Sequence, residues 1–156
     1  MNPTVRVVAR TLDHPDVAPM IAQLNHELIS TEPEGGTAHI TLHPHEVSDG
    51  NGEFLVAYVD GAPRACGAYR GIAPGVAEVK RMWADPAMRH AGLGAAVLTA
   101  IETAATARGY DELRLETGLH LQAAVALYRK FGFVECAPWG DYINSPLSYC
   151  MTKSLT

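Results

Sequence analysis

Short stretches of apolar or alternating apolar and polar residues predict seven β-strands in this chain. The predicted strands cover residues 4–10, 53–59, 64–69, 76–83, 113–116, 133–136 and 147–153. Apolar residues recur at helical spacing over about 15–29, 93–108 and 121–130, so three helices are predicted there. The predicted order is β-α-loop-β-β-β-α-β-α-β-β, with turns at Asp60-Gly61 and at Ala73-Pro74-Gly75.

Residues 31–52 form the one long stretch without a clear period. They are rich in Gly, Pro, Thr, Ser and His, which predicts a loop with a short helix. Neither a repeat nor a low-complexity linker divides the rest of the chain. We therefore expect one domain over residues 1–156.

The apolar runs are too short to cross a bilayer, the run at 54–59 among them. The first ten residues lack the apolar stretch of a signal peptide, so a cytoplasmic location without membrane attachment is predicted. Cys66, Cys136 and Cys150 are odd in number and have no CxxC spacing, which favours reduced thiols over a disulfide framework or a zinc site.

Charge is distributed unevenly along the chain. Residues 11–63 contain no Lys or Arg, whereas nine of the twelve basic residues lie between Arg64 and Lys130. The acids of residues 11–63 are nine in number: Asp13, Asp16, Glu27, Glu32, Glu34, Glu46, Asp49, Glu53 and Asp60. Two ordinary solvated surfaces would explain this division, and so would one half that repels anions and another that holds them. The net charge of −5 argues against nucleic-acid binding.

The loop from Arg89 to Gly94 joins a predicted strand to a predicted helix and contains two glycines. Glycines there let backbone amides face outward, and the helix N-terminus adds partial positive charge, so the loop could hold a phosphate. A tight turn before a helix is the alternative. Val97 stands where a dinucleotide fingerprint needs a third small residue, and neither a Walker A loop nor a Gly-x-Ser-x-Gly elbow is present.

Three histidines, His39, His43 and His45, have a spacing that could suit a metal ion. They lie in the polar loop without a nearby cysteine, so we expect solvated side chains and no metal site.

Three motifs in sequence order make the chain resemble the GNAT superfamily of acetyltransferases. Arg89-x-x-Gly92-x-Gly94 fits the Arg/Gln-x-x-Gly-x-Gly/Ala loop of that superfamily, and the strand over 77–86 precedes it. The segment from Ala124 to Phe133 resembles the signature Ala-x-x-Leu-Tyr-x-x-x-Gly-Phe. The resemblance is firm over 54–134, and the ending over 138–153 is similar to a bacterial subgroup whose substrates are mostly unassigned.

The resemblance implies an α/β fold with a mixed, mostly antiparallel sheet of about seven strands flanked by helices. It also implies that acetyl-CoA is the co-substrate, that no metal takes part, and that the protein could form a homodimer. The implied cofactor-binding residues are Met82, Trp83 and Ala84 for the pantetheine arm, and Arg89, His90, Ala91, Gly92, Leu93, Gly94 and Ala95 for the pyrophosphate.

One position departs from the family pattern. Many members have Asn seven residues before the signature tyrosine, near the pantetheine, whereas this chain has Leu121 there and Gln122 next to it. Either Gln122 substitutes for the Asn after a small shift, or the contact is missing.

Acetyl transfer to an amine requires a base for the amine proton and an acid for the departing thiolate. The resemblance implies Glu78 as the base, with Glu116 on the neighbouring strand as the alternative, and Tyr128 as the acid. Glu78 could instead only order the sheet by pairing with a basic residue, and Tyr128 could be a core tyrosine. Strand alternation predicts that Glu78, Lys80 and Met82 share one face.

The acid-rich half is the part of the chain over residues 11–63, which contains the nine acids. The resemblance also implies that this half, through the first helix and the following loop up to about Gly52, forms the wall of the acceptor site. We therefore expect a small cationic molecule with a primary amine as acceptor, in a pocket closed by aromatics such as Trp139 or Tyr142. Two alternatives stay open: acetylation of a protein lysine or N-terminus, and a non-catalytic acyl-CoA-binding regulatory module on the same fold.

Overall fold

The computed structural model of this chain describes residues 4–31, 47, 50–89 and 91–156. Most of the predicted loop at 31–52, the candidate histidines His39, His43 and His45, and His90 of the glycine loop lie outside the described residues.

Seven strands and three helices occur in the predicted order within this part of the chain. The strands are β1 (Val5–Arg10), β2 (Gly52–Val59), β3 (Ala62–Ala73), β4 (Val76–Ala84), β5 (Glu112–Gly118), β6 (Val134–Glu135) and β7 (Ser148–Ser154). The helices are α1 (Val17–Thr31), α2 (Leu93–Ala107) and α3 (Gln122–Lys130). Short 3₁₀ turns at Pro86–Met88 and Gly140–Tyr142 are the additions to the predicted elements.

The strands form one sheet in the order β1-β2-β3-β4-β5-β7-β6. Five of its neighbouring pairs are antiparallel, and β4 with β5 is the parallel pair. The connection between β4 and β5 carries α2, because two parallel strands need a crossover that returns the chain to the same edge. The structure therefore confirms a mixed, mostly antiparallel sheet with helices.

Apolar side chains on the two faces of the sheet form two separate cores. The core on the α2 face joins β2 to α2 and α3 and includes Val97, Ile101 and Tyr128. The core on the other face joins the sheet to α1 through Val17, Met20 and Leu24. Since β2 is buried on both faces, its sequence is a continuous apolar run: Leu55, Ala57 and Val59 contact the first core, and Phe54, Val56 and Tyr58 the second.

The turn predicted at Asp60-Gly61 joins β2 to β3. Both residues have positive φ, 50° and 86°, which matches the backbone of a tight hairpin turn. None of the helices in the described ranges is both long and apolar enough to span a membrane.

Candidate active site

The central feature of the site is an opening between β4 and β5. The two strands pair from Val76 with Glu112 to Val79 with Leu115. Both strands then continue, β4 to Ala84 and β5 to Gly118, without further pairing between them. The backbone edges beyond Val79 and Leu115 are therefore not joined to each other, and an extended ligand could pair with them as a strand does.

A β-bulge lies on β4 at the start of this opening. Cys66 pairs with Trp83, but Ala68 pairs with Lys80, so two residues of β4 oppose Gly67 of β3. Arg81, within the bulge, has a φ of 58°, which non-glycine residues rarely adopt.

The bulge overturns the predicted alternation on β4. Met82 packs against the core on the α2 face, whereas Lys80 contacts Tyr142 on the opposite face. The prediction that Glu78, Lys80 and Met82 share a face was therefore wrong for Met82. A Cβ on Gly67 would clash with the Met82 sulfur, so Gly67 is what allows Met82 to occupy this position.

The glycine loop leads from the end of β4 into α2. Two hydrogen bonds hold the guanidinium of Arg89. Its Nη2 donates to Glu27 of α1 at 2.7 Å, and its Nε donates to the Ala84 carbonyl at 3.2 Å. Gly92 precedes the first residue of α2 with φ 80°, and no side chain caps the helix. The first amides of a helix lack partners within the helix, so this N-terminus is suited to hold an anion.

The two glycines of the loop have different roles. A Cβ on Gly92 would meet nothing within 4 Å, so the space beside it is open. A Cβ on Gly94 would lie 2.9 Å from Leu127 of α3, so this glycine lets α2 and α3 approach each other. Leu93 is buried in the core, while Ala91 is exposed and Ala95 half-buried. Gln122 is exposed at the start of α3, directly after Leu121.

Glu78 lies on β4 before the opening and is buried, with 1% of its surface exposed. Its Oε1 accepts hydrogen bonds from Arg70 Nε and Nη2, both at 2.9 Å. Its Oε2 accepts a 2.6 Å hydrogen bond from Tyr142, and Lys80 Nζ donates to the same phenol at 3.4 Å. Burial and the Glu78 charge hold the pKa of Tyr142 well above its usual value.

The segment between β6 and β7 carries this tyrosine over the sheet. Trp139 packs edge to face against Tyr142, with ring centroids 5.3 Å apart, and the Arg114 guanidinium lies 5.7 Å from the centroid of the Trp139 ring. Sequence reasoning proposed both aromatics as covering residues, but it did not predict the bond from Tyr142 to Glu78.

Glu116 lies on β5 one residue beyond the last β4–β5 pair, on the other side of the opening. It is half-buried, and its Oε2 accepts a hydrogen bond from Ser148 at 2.5 Å. It is therefore the more accessible of the two candidate bases.

Tyr128 lies on α3 and is buried in the core on the α2 face, with 7% of its surface exposed. It packs edge to face on Phe133, at 5.9 Å between ring centroids. Burial, and then the charge of Glu116, raise the pKa of the phenol, so it stays protonated at neutral pH. The candidate acid and the candidate base therefore lie on opposite faces of the sheet. Tyr128 is on the α2 face, and Glu78 is on the face covered by Tyr142.

The acid-rich half is partly neutralised by the basic half. Of the nine acids, five lie in the described part of the chain, and two of these pair with bases of the other half. Glu27 pairs with Arg89 at 2.7 Å, and Glu53 pairs with Arg108 at 3.0 Å. These two ion pairs link α1 and β2 to the residues that flank α2 on either side.

A sheet opening beside an uncapped helix N-terminus suits a ligand that combines an extended arm with a phosphate group. The family model described as the acetyltransferase (GNAT) family matches residues 20–133. The chain belongs to this family and is an N-acetyltransferase.

Two relatives and one solved structure support this assignment, and a second solved structure has the same fold. The chain is 43% identical to the IAA acetyltransferase of Azospirillum brasilense over 65% of this chain and 67% of that protein. It is 38% identical to the uncharacterized N-acetyltransferase YsnE of Bacillus subtilis over 58% and 61% of the two chains.

Among solved structures, a Klebsiella pneumoniae protein provisionally named an acyl-CoA N-acyltransferase has a TM-score of 0.82 at 28% identity, with 98% and 99% of the chains covered. The PaiA N-acetyltransferase of Thermoplasma acidophilum, in complex with coenzyme A, has a TM-score of 0.72 at 16% identity over 97% and 99%. The second likeness concerns the fold alone.

Proposed function

We propose that this protein moves the acetyl group of acetyl-CoA to a primary amine of a small molecule, by direct attack in a ternary complex. The observation that carries the proposal is the opening between β4 and β5 beside the uncapped N-terminus of α2. A thioester placed in this opening is reachable from both faces of the sheet, so cofactor and acceptor can meet there without a covalent enzyme intermediate.

Acetyl-CoA would use both features. The backbone of Met82, Trp83 and Ala84 would pair with the pantetheine amides as an added strand does. The loop from Arg89 to Ala95 would hold the pyrophosphate, and Gln122 would contact the pantetheine. The open space beside Gly92 fits this role, because a phosphate can approach the backbone closely there.

The reaction removes two protons from the acceptor nitrogen and adds one proton to the coenzyme A sulfur, around the attack of nitrogen on the carbonyl carbon. The ammonium gives one proton to Glu78, directly or through water, before nitrogen attacks. The nitrogen loses a second proton to water as the carbonyl reforms and the carbon–sulfur bond breaks. Tyr128 then gives its proton to the coenzyme A thiolate. Burial and the Glu116 charge raise the pKa of Tyr128, so the phenol is protonated before the step but is a weaker acid than an exposed tyrosine.

Two observations bear on the choice of base. Both oxygens of Glu78 accept hydrogen bonds in this structure, so Tyr142 must move or relay a proton before Glu78 can accept one. Glu116 is half-buried on the other side of the opening and influences Tyr128 electrostatically, which keeps it as the alternative base.

The reacting amine would arrive as an ammonium ion, and Glu116 provides a negative charge for it. The wider prediction of a cationic acceptor rests on the acid-rich half of the sequence, and the pairing of Glu27 and Glu53 with arginines reduces that support. A cytoplasmic location and a homodimer stay predictions from the sequence and the resemblance.

Initial velocities measured at several concentrations of both substrates test the direct mechanism. A ternary complex predicts double-reciprocal lines that intersect, with no release of coenzyme A before the acceptor binds. Parallel lines and a burst of thiol without acceptor would indicate a covalent intermediate and refute direct attack.

A further inference from the structure

Two cations lie next to each other on β4 where it separates from β5. Lys80 is the first residue beyond the last β4–β5 pair, and Arg81 follows it in the bulge. Regular alternation would send consecutive side chains to opposite faces of the sheet. The bulge instead leaves both on the face covered by α1 and Tyr142, since Arg81 Nη1 donates to Asn25 of α1 at 2.8 Å and Lys80 donates to Tyr142.

These cations are partly removed from water. Both side chains are half-buried, and burial lowers the pKa of Arg81 below its usual value. A guanidinium that has lost part of its hydration gains from an anion placed beside it, and its fork geometry suits a carboxylate. The left-handed conformation of Arg81 is also strained for a residue with a side chain, and strain of this kind often marks a functional site.

The negative charges near the opening belong to Glu78 on β4 and Glu116 on β5. Glu78 is in a buried ion pair with Arg70, so this pair adds no net charge to the face. Glu116 stands across the opening, on β5, at the position that would pair with Lys80 if the β4–β5 register continued by one residue. A cationic edge on β4 and an anionic edge on β5 therefore lie on opposite sides of the opening, where the strands no longer keep the roughly 4.8 Å spacing of paired strands.

We propose, on the basis of the proposed acetyl transfer, that the acceptor is an amino acid, with its carboxylate bound by Lys80 and Arg81 and its ammonium facing Glu116. The amine end is then cationic, as predicted from the sequence, while the other end of the acceptor is anionic. Lys80 and Arg81 select the acceptor, and the proton transfers stay with the residues assigned above.

Matched acceptors test this proposal with the wild-type protein and acetyl-CoA. Each of a set of amino acids is compared with its carboxamide and with the amine that lacks the carboxyl group, and polyamines are included. We expect kcat/KM to be at least tenfold higher for the acid than for its carboxamide. The carboxamide has the less basic amine, so this preference cannot arise from a larger fraction of unprotonated amine.

Single substitutions at Lys80 and Arg81 then test whether these two residues cause the preference for the carboxylate. Lys80→Gln and Arg81→Gln should each lower kcat/KM for the amino acid about tenfold to a hundredfold, mainly through KM, because a charge-assisted hydrogen bond is lost. The loss should be smaller for the carboxamide than for the amino acid, acetyl-CoA affinity should change little, and Arg81→Lys should restore part of the loss. Lys153→Gln is the matched control, since Lys153 pairs with Glu102 away from the opening.

The outcomes separate the two proposals. Carboxamides, simple amines or polyamines acetylated as well as the amino acids would overturn the proposed acceptor class and leave acetyl transfer intact. The same reduction for acid and carboxamide in both variants would show that Lys80 and Arg81 have a structural role instead. Absence of thiol release with every acceptor would contradict acetyl transfer itself.

Discussion

Replacement of Gly92 by alanine tests the proposed cofactor site with a matched control in the same helix. Gly92 precedes the first residue of α2 and Gly109 follows its last turn, and both have left-handed φ, 80° and 91°. A Cβ at either position would meet nothing within 4 Å, so neither substitution creates a clash. Each should lower the free energy of unfolding by about 1–2 kcal/mol through backbone strain alone.

Only Gly92→Ala should also weaken acetyl-CoA binding. The methyl group would occupy the open space beside the first amides of α2, where the pyrophosphate is proposed to lie. Loss of one charge-assisted hydrogen bond costs about 1.5–3 kcal/mol, which corresponds to roughly a tenfold to hundredfold loss of affinity.

Isothermal titration calorimetry with acetyl-CoA measures this difference, and thermal unfolding of both variants checks the common loss of stability. We expect wild-type affinity for Gly109→Ala and at least tenfold weaker binding for Gly92→Ala. Equal affinities in the two folded variants would refute the assignment of the pyrophosphate to this loop.

Three further predictions follow from the buried groups. Tyr128→Phe should keep acetyl-CoA affinity and lower kcat and kcat/KM together by about 10²-fold, and a wild-type rate when chemistry is limiting would make Tyr128 a core residue. If Glu78 is the base, Glu78→Gln should regain part of its lost activity at high pH; recovery in Glu116→Gln instead would assign the base to Glu116. Because burial raises the pKa values of Tyr69, Tyr128 and Tyr142, these phenols should stay protonated at pH 11 in the folded protein, and stability should fall as the pH rises above the usual tyrosine value. Tyr128→Phe should therefore leave the tyrosinate absorbance change up to pH 11 unaltered, whereas a smaller change would contradict the pKa shift.

The order of elements could be predicted because its signals are local. Helical spacing on α1 and α2 and the turn at Asp60-Gly61 each depend on a few neighbouring residues. The glycine loop was predictable for the same reason, since Gly92 and Gly94 stand at the start of a clear helix. Boundaries were less accurate, as the extension of β3 to Ala73 illustrates.

The bulge at Arg81 could not be predicted from alternation. Glycine or asparagine would have indicated a left-handed residue, but arginine is rarely found in that conformation. The bulge is set by tertiary contacts, in which Met82 packs over Gly67 and Arg81 bonds to Asn25 of α1.

The environment of Glu78 depends on residues far apart in the sequence. Tyr142, which bonds to Glu78, is 64 residues away along the chain, and no periodic pattern reports such a pair. Arg70 was within reach of prediction, because the hairpin of β3 and β4 brings it opposite Glu78.

Acetyl-CoA turnover is the most direct measurement of the central claim. The protein is incubated with acetyl-CoA and a panel of amino acids, amines, polyamines and peptides, thiol release is followed, and the product is identified by mass. We expect acceptor-dependent thiol release with one acetyl group added to the amine of a small molecule. Tight acetyl-CoA binding without thiol release from any acceptor would contradict the account and indicate a non-catalytic acyl-CoA-binding module.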